Sequence, residues 1–196
     1  MQRIVIVEKI KTIREGIKIL INRFSDFECK DSFSDYSEFK RSLLDIKPDI
    51  LLLDIHYSDI SILDEITDLK KNLPQMIIVV LTLNEENELL FSTLLHGASA
   101  YINKNSPSDK LIRTLKDISN GKSLINSLIA RKTMKFINDK KLSGAYVENE
   151  LMLLEKVIEG NNLFAIKQSL KISNDDIKKT FNNIYRKLQS QVMSQN

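Results

Sequence analysis

Three segments in the first half of the chain are almost continuously apolar and rich in Ile, Leu and Val. They are Arg3–Glu8, Asp49–Asp54 and Ile77–Thr82. Continuous apolar runs of this length are typical of strands that are covered on both faces of a sheet. Apolar residues at helical spacing fill the intervals between them. This alternation of strands and helices predicts an α/β domain with a doubly wound parallel sheet.

The remaining elements of this domain follow from shorter patterns. We predict a second strand within Phe27–Asp31, a fifth strand around Ala100–Asn103 and a last helix from Pro107 to about Asn120, which completes a five-stranded sheet. The helices between the strands are predicted from their spaced apolar residues, which are Ile13, Ile17, Leu20 and Ile21, then Phe39, Leu43 and Leu44, then Ile62, Ile66 and Leu69, then Leu89, Leu90 and Leu94.

Polar side chains follow the predicted strands at the points where the strands end. In an open parallel sheet the functional crevice lies beyond the carboxyl ends of the strands. The residues at these ends are Glu8, Lys9, Asp54, Thr82 and Lys104. Two carboxylates, a hydroxyl and two ammonium groups at one edge predict a site for an anion or a phosphoryl group.

Four segments carry a family resemblance because they occur in order and at the right spacing. They read IVIVEKI (4–10), PDILLLD (48–54), IIVVLT (77–82) and GASAYINK (97–104), and together they resemble the receiver domain of bacterial two-component response regulators. The resemblance implies a flavodoxin-like fold with Asp54 as the phosphoacceptor and Thr82 as the switch hydroxyl. It also implies that Lys104 contacts the phosphoryl oxygens and that Tyr101 turns inward on activation.

The metal site implied by the resemblance is altered in this chain. In the family, Mg²⁺ is held by an acidic pair after the first strand, by the phosphoacceptor and by a backbone carbonyl two residues further on, which here correspond to Glu8, Lys9, Asp54 and His56. Lys9 replaces an acid, and an ammonium group has no lone pair to donate and repels a dication. We therefore expect weak Mg²⁺ binding. Lys9 could instead pair with Asp54 or Glu8, mimic the metal and lock one conformation without phosphorylation.

The second half of the chain differs from the first in charge. Residues 1–120 contain 16 basic and 19 acidic side chains, whereas residues 121–196 contain 13 basic and 7 acidic ones. This asymmetry suggests two modules with different partners. We predict a receiver domain over 1–121, a linker helix and loop over 122–146, and a small all-α domain over 147–196. The linker comprises a helix over Leu124–Asn138 and the polar segment Asp139–Tyr146.

Three helical patterns follow the predicted linker, and the last two have the arrangement of a helix-turn-helix. They span Asn149–Glu159, Leu163–Leu170 and Asn174–Leu188, with Ser173 as an N-cap residue of the last. The segments ENELMLLEKVIEG (148–160) and ISNDDIKKTFNNIYRKL (172–188) resemble the LuxR-type DNA-binding domain of NarL/FixJ-class response regulators.

The resemblance implies which side chains face the DNA duplex. Lys178 and Lys187 match the family motif, and Lys179, Asn182 and Arg186 join them by helical position or charge. Asp176 replaces a Thr of the motif, so we expect a negative charge where a hydroxyl would face a phosphate. Since the sequence ends at Asn196, we also expect the family's fourth helix to be largely missing.

These patterns predict an atypical response regulator that binds double-stranded DNA as a homodimer. A sensor histidine kinase is a possible partner of its receiver domain. A different interpretation is a protein-interaction adaptor with a pseudo-receiver and no DNA binding. An enzyme is not expected, because there is no Gly-rich phosphate loop and no nucleophile–base pair. The single cysteine, Cys29, excludes an internal disulfide, and no apolar run approaches the ~18 residues of a membrane span, so we expect a cytoplasmic protein.

Overall fold

The computed structural model describes residues 1–55, 61–83, 92–94, 96–120, 127–139, 142–159, 161 and 163–193. These residues divide into two compact units, Met1–Ile118 and Ser119–Asn196. Within the described residues, no helix is both long and apolar enough to span a bilayer.

The first unit is built on a parallel sheet, as predicted. Its strands are β1 (Gln2–Val7), β2 (Phe27–Glu28), β3 (Ser32–Phe33), β4 (Ile50–Asp54), β5 (Ile77–Thr82) and β6 (Ala100–Asn103). The strand order is β2-β1-β4-β5-β6, and β3 also pairs with β1. All pairs are parallel. The central strands are buried along most of their length because helices cover the sheet.

The second strand, β2, lies within the predicted segment Phe27–Asp31, but it is short and a further short strand, β3, follows it. β2 pairs with the start of β1 and β3 with its end. Between them, the backbone of Cys29 bonds to a side chain: its N–H donates to Asn22 Oδ1 at 2.8 Å, and its carbonyl accepts from Asn22 Nδ2 at 3.0 Å. The interruption therefore has a local cause at the end of the preceding helix. Cys29 itself is buried, and desolvation raises the pKa of its thiol to about 11.

Four helices complete the first unit in its described part. They are α1 (Lys11–Ile21), α2 (Tyr36–Ile46), α3 (Ser61–Asn72) and α4 (Ser108–Ser119). The start of α2 is set by Asp35, whose carboxylate accepts hydrogen bonds from the N–H groups of Ser37 and Glu38. In the helix predicted around Leu89, Leu90 and Leu94, residues 92–94 are helical, and 84–91 lie outside the described residues.

The second unit is helical. Its helices are α5 (Ser127–Asp139), α6 (Glu148–Ile158), α7 (Leu163–Leu170) and α8 (Asn174–Met193). α5 packs on α6 and buries Ala130, Thr133 and Ile137. The helix that we predicted as a linker therefore lies within the second compact unit. α8 extends to Met193, beyond the predicted end at Leu188.

Gly97 lies three residues before β6, the strand that carries Tyr101, at a position where only glycine fits. Its φ is +120°, a conformation that side chains with a Cβ rarely adopt. A Cβ here would also lie 2.6 Å from Lys70 Cγ. Lys70 has little freedom to move, because its ammonium donates to the carbonyls of Pro74 and Met76 at 2.7 and 2.9 Å.

We expect Gly97→Ala to lower the free energy of unfolding of the first unit by about 1–3 kcal/mol, because it combines backbone strain with a steric clash. Gly16→Ala is the matched control. No atom lies within 4 Å of a Cβ at Gly16, which sits in α1, and Ala in a helix should stabilise by roughly 0.5–1 kcal/mol. Urea denaturation followed by circular dichroism measures both. Equal stability of the two variants would contradict the prediction.

Candidate functional site

The carboxyl edge of the sheet gathers the predicted polar residues. Glu8 directly follows β1, Asp54 ends β4, Thr82 ends β5 and Lys104 follows β6. These strands are neighbours in the sheet, and the Lys104 N–H donates to the Thr82 carbonyl at 2.7 Å. The parallel topology therefore brings residues from four distant parts of the chain to one place.

Lys104 bridges the two carboxylates of this site. Its Nζ lies 2.6 Å from Glu8 Oε2 and 2.5 Å from Asp54 Oδ1. The side chains are almost completely buried, with exposures of 4% for Lys104, 0% for Glu8 and 4% for Asp54. Buried carboxylates require a cation or several hydrogen bonds. One ammonium group here contacts both carboxylates.

The loop after β1 is held by further hydrogen bonds. Glu8 Oε1 accepts from the Ile10 N–H at 2.8 Å, and Arg14 Nη1 donates to the Glu8 carbonyl at 2.7 Å. The sequence patterns do not single out Arg14. Its hydrogen bond to the Glu8 carbonyl depends on the position of α1 relative to the loop, and no local sequence pattern indicates that position.

Lys9 has a different environment from Lys104. Its side chain is exposed beside a cleft of about 440 Å³ that Asp54, Ser34, Asp35 and Tyr36 also line. Within the described residues its ammonium forms no ion pair. The predicted alternative in which Lys9 pairs with Asp54 or Glu8 is therefore not the arrangement observed, because Lys104 occupies both carboxylates.

The residues present at this edge fit Mg²⁺ poorly. Glu8 and Asp54 already bind Lys104, the carboxylate of Asp35 caps α2, and Lys9 places an additional positive charge beside the cleft. Among the described residues there is no group of three or more His, Cys, Asp or Glu that could hold a metal. His56, whose carbonyl was the predicted third ligand, lies outside them.

The two predicted switch residues lie on neighbouring strands. Thr82 is buried with 3% exposure at the end of β5. Tyr101 lies on β6 opposite Val80 and is half-buried, between the buried Ala100 and Ile102. The structure thus places both on the strands that end at the Lys104 bridge, and their switch role remains a prediction.

In the second unit, α8 has two distinct faces. Its buried stripe comprises Ile177, Phe181, Ile184 and Leu188. Lys179, Asn183 and Arg186 are exposed and recur at helical spacing on the opposite side. The side chains of Lys178 and Asn182, which were predicted to face DNA, lie outside the described part of the structure.

Asp176 has a local structural role that we did not predict. Its N–H donates to Ser173 Oγ at 3.1 Å, and its Oδ2 accepts from the Ser173 N–H at 3.0 Å and from the Ser173 hydroxyl at 2.6 Å. This reciprocal arrangement is a capping box at the start of α8. The hydrogen bonds from Ser173 lower the pKa of the Asp176 carboxyl. The Ser-x-x-Asp spacing could have indicated this role from the sequence.

Lys187 is turned towards the protein instead of lying with the exposed cations. Its Nζ lies 2.6 Å from Oε2 of Glu150, whose side chain is 4% exposed. That Lys187 faces the duplex stays a prediction, and in the structure its ammonium is paired with an acid of the same unit. Glu150 was missed in the sequence because an acid in the first turn of a helix is normally solvated and favoured by the helix dipole.

Comparison with known proteins agrees with this fold. The model of the response regulator receiver domain matches residues 4–116. The chain therefore belongs to the response regulator receiver family. The oxygen regulatory protein NreC of Staphylococcus aureus is 26% identical over 184 residues, which cover 87% of this chain and 83% of NreC.

Solved structures share the fold over both units. A structure of the response regulator RcsB from Salmonella typhimurium aligns with a TM-score of 0.59 and 20% identity, over 95% of this chain and 91% of RcsB. A LuxR-family two-component response regulator from Aurantimonas aligns with a TM-score of 0.59 and 21% identity, over 72% of this chain and 99% of its own. An RcsB–DNA complex aligns with a TM-score of 0.58 and 19% identity, over 96% of this chain and 92% of RcsB.

We expect Lys104→Met to reduce the free energy of unfolding of the first unit by about 3–5 kcal/mol, because it leaves two buried carboxylates without their cation. Lys30→Met is the matched control, since Lys30 pairs with Glu28 at the surface and is 75% exposed. It should cost less than about 1 kcal/mol. Urea denaturation compares the two.

Adding Glu8→Gln and Asp54→Asn to Lys104→Met should restore most of the lost stability, since the uncompensated charges are then removed. Similar losses for Lys104→Met and Lys30→Met would show that the bridge is not an important stabilising interaction.

Proposed function

We propose that this chain is an atypical response regulator that binds double-stranded DNA and whose receiver works without phosphorylation of Asp54. The observation that carries the DNA-binding part is the exposed face of α8 with Lys179, Asn183 and Arg186. The observation that carries the receiver part is Lys9, a cation where the family has a metal-binding acid.

The chemistry of α8 suits a duplex. Lys171 follows the end of α7, and its positive φ of 53° turns the chain towards the capped start of α8, as in a helix-turn-helix. Exposed Lys and Arg side chains bind phosphates, and an Asn side chain can pair with the edge of adenine. Asp176 keeps its negative charge, and its hydrogen bonds with Ser173 hold the carboxylate at the start of α8. The fold is also that of RcsB, which has been solved in complex with DNA.

The chemistry of the receiver argues against ordinary phosphotransfer. Attack of a carboxylate on phosphorus requires cations that neutralise the transferring oxygens, and the family uses Mg²⁺ together with a lysine. Here Lys104 can serve as that lysine, whereas Lys9 disfavours the metal. Asp54 then acts as a structural partner of Lys104, and regulation proceeds through abundance or through protein partners. A sensor histidine kinase is not required, and DNA binding as a homodimer remains part of the proposal.

Intact mass after incubation with acetyl phosphate and Mg²⁺ tests the receiver. We expect the parent protein to gain no mass. Lys9→Asp restores a carboxylate ligand and should gain one phosphoryl group, whereas Lys9→Asp combined with Asp54→Asn should gain none. Lys11→Asp is the matched control, because it makes the same charge change on α1 outside the residues that line the cleft. A parent that is phosphorylated as fully as Lys9→Asp would overturn this part of the proposal.

The salt dependence of binding to a labelled mixed-sequence duplex tests DNA binding. Lys179→Gln and Arg186→Gln should each weaken binding and reduce the slope of log K against log [salt] by about 0.9 for each phosphate that is no longer neutralised. Lys71→Gln removes an exposed cation of the first unit and should leave the slope unchanged. If the parent shows no salt-sensitive binding to any duplex, the adaptor function replaces the one proposed here.

A further inference from the structure

We infer that Lys187, Glu150 and Tyr146 form an internal anchor that positions α8 for DNA binding, and that Lys187 itself does not contact DNA. This inference rests on the proposed DNA-binding function. We refer to these three residues as the anchor.

Glu150 is the centre of the anchor. Its side chain lies in the first turn of α6 and is 4% exposed. The same oxygen, Oε2, accepts from the Val147 N–H at 3.0 Å and from Lys187 Nζ at 2.6 Å. A buried carboxylate is costly unless it is paired, so Glu150 requires the Lys187 ammonium where it is.

Lys187 is enclosed on more than one side. Its side chain is 34% exposed, and its ammonium lies 5.3 Å from the centroid of the Tyr146 ring, at a distance suited to a cation–π interaction. Tyr146 is itself buried, with 6% exposure. The positive charge of Lys187 is therefore largely compensated within the protein, in contrast to that of Arg186.

Helix geometry separates these two neighbouring cations. One residue along an α-helix rotates the side chain by about 100°. Arg186 is exposed, on the side opposite the buried stripe, whereas Lys187 is turned towards α6. Arg186 and Lys187 are therefore neighbours in the sequence with different roles. The number of basic residues on α8 is larger than the number of positive charges available to phosphates.

The anchor determines which side of α8 faces α6. The buried stripe of Ile177, Phe181, Ile184 and Leu188 holds the helix through non-directional apolar packing. The ion pair is directional and joins α8 to the first turn of α6, across 37 residues of sequence. It thereby limits rotation of α8 about its axis and keeps Lys179, Asn183 and Arg186 on the outer face.

A phosphate-binding role and a positioning role predict opposite results for substitutions in the anchor. If Lys187 bound a phosphate, its removal would reduce the salt slope, and removal of the Glu150 charge would strengthen binding. If the anchor positions α8, removal of either partner weakens binding, and the two substitutions have the same effect on the slope.

The test uses the full chain and a labelled mixed-sequence duplex over a range of salt concentrations. We expect Lys187→Met and Glu150→Gln each to weaken binding by about tenfold, the range expected when a charge-assisted hydrogen bond is removed. The slope should be the same for the two variants. The double variant should bind no more weakly than either single variant, because both remove the same pair. Lys187→Arg retains the charge and should restore binding to within about threefold of the parent.

Thermal unfolding by circular dichroism identifies a temperature at which all variants are folded. Glu150→Gln is the milder substitution, since its amide oxygen can still accept from the Val147 N–H, and it keeps the test valid if Lys187→Met does not fold. A slope that is reduced for Lys187→Met but not for Glu150→Gln, or tighter binding by Glu150→Gln, would overturn the anchor while leaving DNA binding intact. Absence of duplex binding by the parent would instead overturn the proposed function, and the anchor's role with it.

Discussion

The ion bridge of Lys104 holds together the edge of the sheet on which the candidate receiver site depends. Glu8 and Asp54 lie at the ends of adjacent strands, and both carboxylates are almost fully buried. Two such charges would repel each other and resist burial, so their closeness depends on the cation between them. The bridge therefore determines the geometry of the site, and Lys9 lies exposed beside the cleft.

The second unit also contains a buried carboxylate that is paired with a lysine from a distant part of the chain. Glu150 is a buried carboxylate, and Lys187 compensates it from a distant helix. In both units the lysine that the sequence places among ligand-binding residues is also the partner of a buried acid. Among the candidate site residues whose side chains the structure describes, those left exposed are Lys9 in the first unit and Lys179, Asn183 and Arg186 in the second.

Local patterns predicted the elements well where local interactions form them. The continuous apolar runs became β1, β4 and β5, because such residues require cover on both faces. α7 spans Leu163–Leu170 as predicted, and α8 begins directly after Ser173, whose capping box lies within four residues. The prediction placed the second strand correctly but missed its division into β2 and β3, which arises because the Asn22 side chain takes the hydrogen bonds of Cys29. It also ended α8 too early, since it followed a family motif that stops at Leu188.

The sequence by itself determined the order of elements, the parallel sheet and the clustering of polar residues at its carboxyl edge, since these follow from short-range apolar periodicity and from the topology of parallel strands. Only the tertiary structure decided which charges pair. Lys9 and Lys104 are both lysines at strand ends, as Arg186 and Lys187 are both cations on one helix, yet one member of each pair is exposed and the other is held by a buried acid. The reason is that ion pairing depends on distances between elements far apart in the chain, which no local pattern encodes.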